Sequence, residues 1–368
     1  MRVLSLVTLV SPDGAYGGPL RVALNQAKAL NARGHEVTLA GGQRGYGAHV
    51  PTVMDTVPMA LFPVRTALAG TGFAGLASPA LHRWLSSAVA GVDIVHVHAA
   101  RDLVSLRAAD WLRRHNVPYV LQTHGMIDAS RNVLAVPLDA VMTRPVLRAA
   151  RHVFYLTPRE RSDLIAVGGS GLRLRELPNG VPQLARTSER TGAEVLYLAR
   201  LAARKRPMMF VEMAERLARA FPQASFRLVG PDEGEGDAIT RRISASTGTV
   251  DIAWEGPLEP GLTAARMERA GIFVLPSVDE PYPMSVLEAM ALGLPVVITD
   301  SCGLAPIVRS TGCGIVVDNS LDSLTAAVRL LLGDSALARS MGRAGAHAAR
   351  EHFGMPMIAE ALEAAYLA

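Results

Sequence analysis

Residues 272–299 read IFVLPSVDEPYPMSVLEAMALGLPVVIT. Two short apolar, β-branched runs, Ile272–Leu275 and Val296–Thr299, bracket a segment of helical spacing that begins near Met284, and Gly293 with Pro295 punctuates the return. A strand, a helix-length amphipathic segment and a second strand form the unit of a parallel sheet with crossover helices.

The same alternation extends in both directions. Strands are expected near Glu194–Leu198, Ser225–Val229, Asp251–Trp254 and Ile315–Val317 in this half, and near Val3–Leu9, Glu36–Ala40, Ile94–His98, Tyr119–Thr123 and Val153–Leu156 in the first half. Leu20–Ala32 reads as a helix with Pro19 at its start and Gly34 past its end. Thr157-Pro158-Arg159-Glu160 reads as a capping box with proline at the first helical position. Asp334–His352 and Met355–Leu367 read as helices parted by Gly354 and Pro356, and the last is expected to cross back to the first half. The chain has 368 residues, and single cores stop growing at roughly 250 to 300. The expected organisation is therefore an α/β domain over 1–187, a second α/β domain over 188–352 and a returning helix over 353–368, with the polar stretch Ala185–Gly192 as linker.

Apolar residues make up 49% and charged residues 19% of the chain, a globular composition. The net charge of +4 is unevenly spread: residues 1–187 carry 20 Lys/Arg against 11 Asp/Glu, and residues 188–368 carry 17 against 22, so the halves are +9 and −5. A basic half points to anionic partners, namely phosphates, an acidic or lipid-linked acceptor or an anionic membrane surface; a plainly solvated surface is the alternative. Arg101, Arg107, Arg113 and Arg114 are expected in one helix, and Arg144, Arg148 and Arg151 in a second basic stretch. Aromatic content is only 5% and no basic run interleaves with aromatics, which argues against nucleic acid. Cys302 and Cys313 offer neither a disulfide framework nor zinc spacing, so a reducing cytoplasm fits. No apolar stretch reaches the roughly 20 residues of a membrane span, so any membrane contact is expected to be peripheral, on the inner face.

Ligands of open parallel sheets bind beyond the carboxyl ends of the strands. After the first strand comes Tyr16-Gly17-Gly18-Pro19, where paired glycines let backbone amides approach a phosphate. His98 and His124 follow later strands of the first half. His96 and His98, two apart, share a strand face; lacking a carboxylate-rich partner set they read as packed or hydrogen-bonded side chains, not metal ligands. In the second half Arg200 ends a strand and Lys205, one of only two lysines, follows five residues later. Together these cations suit a diphosphate leaving group without a metal. Glu280 lies before the Met284 helix and Glu288 lies inside it, and paired carboxylates accept well from ribose and hexose hydroxyls.

Glu280 to Glu288 resembles the E-x7-E motif of the family 4 nucleotide-sugar glycosyltransferases, which share the two-domain GT-B fold. Gly17-Gly18, Asp93-Ile-Val-His-Val-His98, Gln122-Thr123-His124-Gly125, Pro178-Asn179-Gly180-Val181, Arg200 with Lys205, and Gly256 carry the resemblance nearly end to end. It implies two Rossmann-like domains facing a central cleft and a retaining, metal-independent transfer of a hexose-type sugar from a nucleoside diphosphate sugar to a hydroxyl acceptor, in glycan, glycolipid or secondary-metabolite synthesis. It implies that Glu288 holds the donor ribose, Glu280 the donor sugar, Arg200 and Lys205 the diphosphate, and that His124 with the Gly17 and Gly18 amides closes the site; no cofactor or metal is implied. The catalytic set is then His124, Arg200, Lys205 and Glu280. The family's usual Phe-Gly after the first glutamate is Tyr282-Pro283 here. Proline has no amide to donate, which shifts the expected contacts to the amides of Met284 and Ser285. A nucleotide-sugar epimerase of the same architecture and a non-catalytic binding module are the rival readings.

Overall fold

The structure, a computed structural model, describes residues 1–12, 17–67, 70–129, 135–183, 193–246, 248 and 250–368. Tyr16, the stretch 185–192 and the 187/188 boundary drawn inside it lie outside the described residues. The chain forms two compact units, Met1–Gly180 with Met355–Ala368, and Val181–Gly354.

The first unit contains β1 (Arg2–Val10), β2 (Glu36–Gln43), β3 (Val53–Met54), β4 (Val57–Pro63), a two-residue ribbon of β5 (Arg65–Thr66) and β6 (Leu76–Ala77), then β7 (Ile94–His98), β8 (Tyr119–Gln122), β9 (Val153–Tyr155) and β10 (Leu174–Glu176). Its main sheet runs β10-β9-β8-β7-β1-β2-β4-β3 and is parallel except for β3 against β4. The order leaves β1 in opposite directions towards β2 and β7, so the connection reverses there. Strands β3 to β6 and β10 were not expected from the sequence. They are short or lie at the edge, and β4 carries Pro58 and Pro63, which withdraw ladder donors and hide a strand signal.

The first helix, Gly17–Ala32, begins before the expected Leu20 and takes both glycines into its opening turn. Pro19 is its third residue, where amides have no intrahelical partner to lose. The Thr157 hydroxyl does accept from the Glu160 amide, with Pro158 in the first helical position. The expected reciprocal half of that capping box is replaced: the Glu160 carboxylate accepts from the Leu156 amide, the Thr123 hydroxyl and the Gly125 amide instead. Arg101 lies ahead of the helix Ser105–Arg114 and not within it.

The final helix, Met355–Leu367, belongs to the first unit, because Met355, Ile358, Leu362 and Tyr366 share a core with Val3, Val7, Leu24, Val120 and Phe154. Its exposed edge is fastened by Glu363, which accepts from Arg33 Nε at 2.6 Å and meets His35 Nε2 at 2.7 Å. These contacts, that of Arg33 first, hold the Glu363 carboxyl down at about 2.

The second unit contains β11 (Glu194–Leu198), β12 (Ser225–Val229), β13 (Asp251–Trp254), β14 (Ile272–Leu275), β15 (Val296–Thr299) and β16 (Gly314–Val317). All are parallel, in the order β13-β12-β11-β14-β15-β16, so the winding reverses between β11 and β14. That reversal opens a crevice at the carboxyl ends of these two strands. Tyr197, Phe210, Phe226 and Phe273 are fully buried in the core around them.

Gly342, within the helix Ser335–Phe353, packs against the turn that ends the Met284–Ala291 helix: a Cβ there would lie 2.1 Å from the Gly293 carbonyl oxygen. Gly342→Ala should therefore overpack this contact and cost about 1 to 3 kcal/mol. Thermal unfolding monitored at Trp254 should show a lower midpoint; an unchanged midpoint would refute the close packing.

Candidate functional site

The β11–β14 switch point gathers the candidate residues of the second unit. Arg200 stands just past β11, and the chain then makes a 3-10 turn over Ala203–Lys205 and passes through Arg206 in the left-handed region at φ 52°. Beyond β14, Asp279 is also left-handed, at φ 49°. The Val278 amide donates to the Arg204 carbonyl at 2.9 Å, which joins the two loops, and the Gly303 amide, in the loop after β15, donates to the Glu280 carbonyl at 2.8 Å. These bonds fix Lys205 and Glu280 as neighbours, and the Lys205 ammonium donates to the Glu280 carboxylate. Both side chains are buried. Burial pulls the Lys205 ammonium below the ordinary lysine range, and Glu280 pulls it partly back. The Arg204 guanidinium lies 3.5 Å from the same carboxylate.

Glu280 precedes the helix Met284–Ala291, whose N-cap is Pro283 in extended geometry. The Val286 and Leu287 amides turn back to the Pro283 carbonyl at 3.2 and 3.4 Å. The amides of Met284 and Ser285 thus stand ahead of the first intrahelical bond, at the positive end of the helix dipole. Glu288 is the fifth helical residue and is buried. Arg200 does not meet Lys205 directly; its guanidinium is paired with Glu233, in the loop after β12. Cys302 is buried close by, where burial pushes its thiol up to about 12, consistent with a packing residue.

In the first unit, Gly17 and Gly18 open their helix facing space: a Cβ added to either would meet nothing within 4 Å. His124 is held in the left-handed region at φ 53°. Glu160, which accepts from the residues on either side of it, braces that strained backbone. His124 Nε2 lies 2.8 Å from His98 Nδ1, and the His98 ring stacks between those of His96 and His124 at 4.6 and 5.1 Å. His96 Nδ1 lies 2.8 Å from the Tyr366 hydroxyl of the final helix. Burial lowers all three imidazoles, His96 and His124 to about 3 and His98 well below its ordinary value. The stack is therefore neutral, and each ring has one donor and one acceptor nitrogen. Among the described residues no group of three or more His, Cys, Asp or Glu side chains is arranged to hold a metal ion.

Three partners were not foreseen: Glu233 for Arg200, His98 for His124, and Glu160 for the His124 loop. Only the last had a signal in the sequence, and that signal pointed to a helix cap.

Two parallel sheets, each reversed once, with cations, carboxylates and helix amides gathered at the switch point of the second, have the architecture of a glycosyltransferase of the GT-B class. Residues 185–348 match the model of the glycosyl transferases group 1, and residues 17–180 match the glycosyl transferase 4-like domain. The D-inositol 3-phosphate glycosyltransferase of Nocardia farcinica is 28% identical over 95% of this chain and 85% of its own length. A glycogen synthase of Mycobacterium tuberculosis is 27% identical over 75% of this chain and 69% of its own. Among solved structures, the sucrose-phosphate synthase of Thermosynechococcus elongatus superposes with a TM-score of 0.74 at 20% identity, covering 100% of this chain and 98% of that one. Anabaena HepE in complex with UDP-glucose does so at 0.74 and 18%, covering 99% and 98%. The chain belongs to the family 4 glycosyltransferases of GT-B fold.

The neutral histidine stack makes the first unit sensitive to acid. An imidazole lowered in the folded state takes up its proton mainly on unfolding, so its contribution is complete above about pH 6.5 and is lost as the pH falls from there towards about 3. Each such histidine adds up to about 1.4 kcal/mol per pH unit to the slope of stability. His98→Asn, which keeps a polar partner for His124, should flatten the fall in stability of the first unit between pH 6.5 and 4.5. Denaturant unfolding at several pH values, followed by Trp84 and Trp111 fluorescence, measures this. Identical slopes in both proteins would show that His98 is not buried in its neutral form.

Proposed function

We propose that this glycosyltransferase moves a hexose-type sugar, with retention of configuration and without a metal, from a nucleoside diphosphate sugar to a hydroxyl of an anionic acceptor. The observation that carries the reading is the convergence of Lys205, Glu280 and the Met284 and Ser285 amides at the β11–β14 switch point. In this reading Lys205 and Arg200 take the diphosphate together with the two helix amides, Glu288 takes the ribose and Glu280 the sugar hydroxyls. From the first unit, His124 and the Gly17 and Gly18 amides contact the substrates.

The sugar's anomeric carbon parts from the diphosphate oxygen and bonds to the acceptor oxygen on the same face, while the acceptor's proton passes to the departing phosphate. The protein's task is to stabilise charge on that phosphate, and two cations with a helix N-terminus supply the stabilisation. Solved complexes of HepE with UDP-glucose make UDP-sugars the first donors to test.

The acceptor proposed is a soluble anion and not an anionic membrane surface. Arg101 is paired with Asp128 and Asp139, Arg113 and Arg114 with Asp110, and Arg144, Arg148 and Arg151 donate to the carbonyls of Val167, Gly168 and Tyr366. These arginines are engaged within the protein, so their number alone does not make a free basic face. What supports this choice is that relatives are named for an inositol phosphate acceptor.

Lys205→Ala and Glu288→Ala should each lower transfer while the circular dichroism spectrum is unchanged. A lost charge-assisted contact to the leaving phosphate corresponds to about 3 kcal/mol, or roughly a hundredfold in rate. Near-normal turnover in both variants would refute the donor assignment. Turnover should also persist in EDTA; complete loss restored by manganese would overturn metal independence. The Michaelis constant for the acceptor should rise with ionic strength, whereas a salt-independent constant would indicate a neutral acceptor.

A further inference from the structure

Arg200 is already engaged by a carboxylate, and the backbone is built to put that carboxylate there. The loop Gly230–Gly236 lies along the segment that carries Arg200: the Leu201 amide donates to the Pro231 carbonyl at 2.9 Å, and the Glu233 and Glu235 amides both donate to the Leu201 carbonyl, at 3.1 and 3.3 Å. Asp232 ties the turn shut by accepting from the Gly234 and Gly236 amides at 2.9 and 2.7 Å. The two segments approach so closely at the strand ends that a Cβ on Gly230, where φ is +144°, would fall 2.0 Å from the Ala199 carbonyl oxygen. Glu233 is thereby held on Arg200 by main-chain bonds on its own loop, while both side chains stay in reach of solvent, 26% exposed for Arg200 and 37% for Glu233.

Accepting the donor-site reading above, we propose that Glu233 is an intramolecular competitor for the donor diphosphate. It keeps Arg200 extended in the absence of nucleotide, gives way when phosphate arrives, and returns to the guanidinium as the nucleoside diphosphate leaves. Lys205 is not in the same position. Its partner Glu280 is buried with it, so that pair is a fixed part of the site, whereas the Arg200 pair is open to exchange. A solvent-exposed ion pair is weak enough to be displaced by a doubly charged phosphate, and its removal changes binding by a small factor. Glu233 therefore tunes donor affinity and product release, and does not abolish either.

The test is a binding cycle by isothermal calorimetry, with UDP, ADP and GDP as probes, on the full chain and on Glu233→Gln, Arg200→Ala and the double variant. Glu233→Gln should bind the preferred nucleotide about three- to fivefold more tightly, with a matching rise in product inhibition. In the Arg200→Ala background the same substitution should have no effect, because the competition acts through that guanidinium. Unchanged or weaker binding in Glu233→Gln, with Arg200→Ala weakened, would overturn the competitor role alone and make Glu233 a mere support for Arg200. Equal tightening with and without Arg200 would also overturn it, by reducing Glu233 to a general surface charge. Undiminished binding in Arg200→Ala, or no binding of any of the three nucleotides to the unmodified protein, would instead overturn the donor-site reading.

Discussion

A buried ammonium–carboxylate pair, Lys205 with Glu280, is the constraint around which the second unit is organised. Taking two charges out of water costs several kcal/mol per ion, and their attraction in a protein interior roughly balances that cost, so such a pair is a poor way to gain stability. Its presence is better understood as a requirement of the site. The backbone places the pair: the chain turns through left-handed residues at Arg206 and Asp279, and the bonds from Val278 to Arg204 and from Gly303 to Glu280 tie the loops after β11, β14 and β15 together. A cation held in place before the substrate arrives needs no reorganisation when negative charge develops beside it.

The first unit solves a related problem with neutral groups. Three stacked imidazoles, one of them on the strained backbone of His124, and the Tyr366 hydroxyl lie together where the final helix covers the sheet. The returning helix is thus tied to the chemistry of the first unit through Tyr366, two residues from the end of the chain. The left-handed backbone at His124 is an energetic expense that Glu160 offsets with two of its three accepted hydrogen bonds.

Much of this was legible in the sequence where local chemistry decides the outcome. The six strands of the second unit stand where short β-branched runs placed them, because a strand buried on both faces is apolar throughout and its ends are marked by Gly, Pro and Asp. Arg200, Lys205 and Glu280 stood out as candidates by their positions past those strands, and Glu288 by its place inside the helix that follows Glu280. The strand Val57–Pro63 was not legible, since its prolines read as loop. Nor were partners: Glu233 lies 33 residues from Arg200 and His98 lies 26 from His124, and no local periodicity encodes which loops a sheet brings together. The arginines of the basic first half stand out by number; the Asp110 partners of Arg113 and Arg114 lie at helical spacing, whereas Asp139 for Arg101 and the carbonyls of Val167 and Gly168 for Arg144 and Arg148 emerge only in the tertiary structure.

The central claim is that the β11–β14 crevice of the second unit holds the diphosphate through Lys205, Arg200 and the amides that open the Met284 helix. Amide hydrogen exchange, read by mass spectrometry with and without saturating nucleoside diphosphate, tests this directly. The account predicts that peptides spanning residues 199–206 and 279–288 gain protection on binding. Protection confined to other segments of the chain, with these two unchanged, would contradict it.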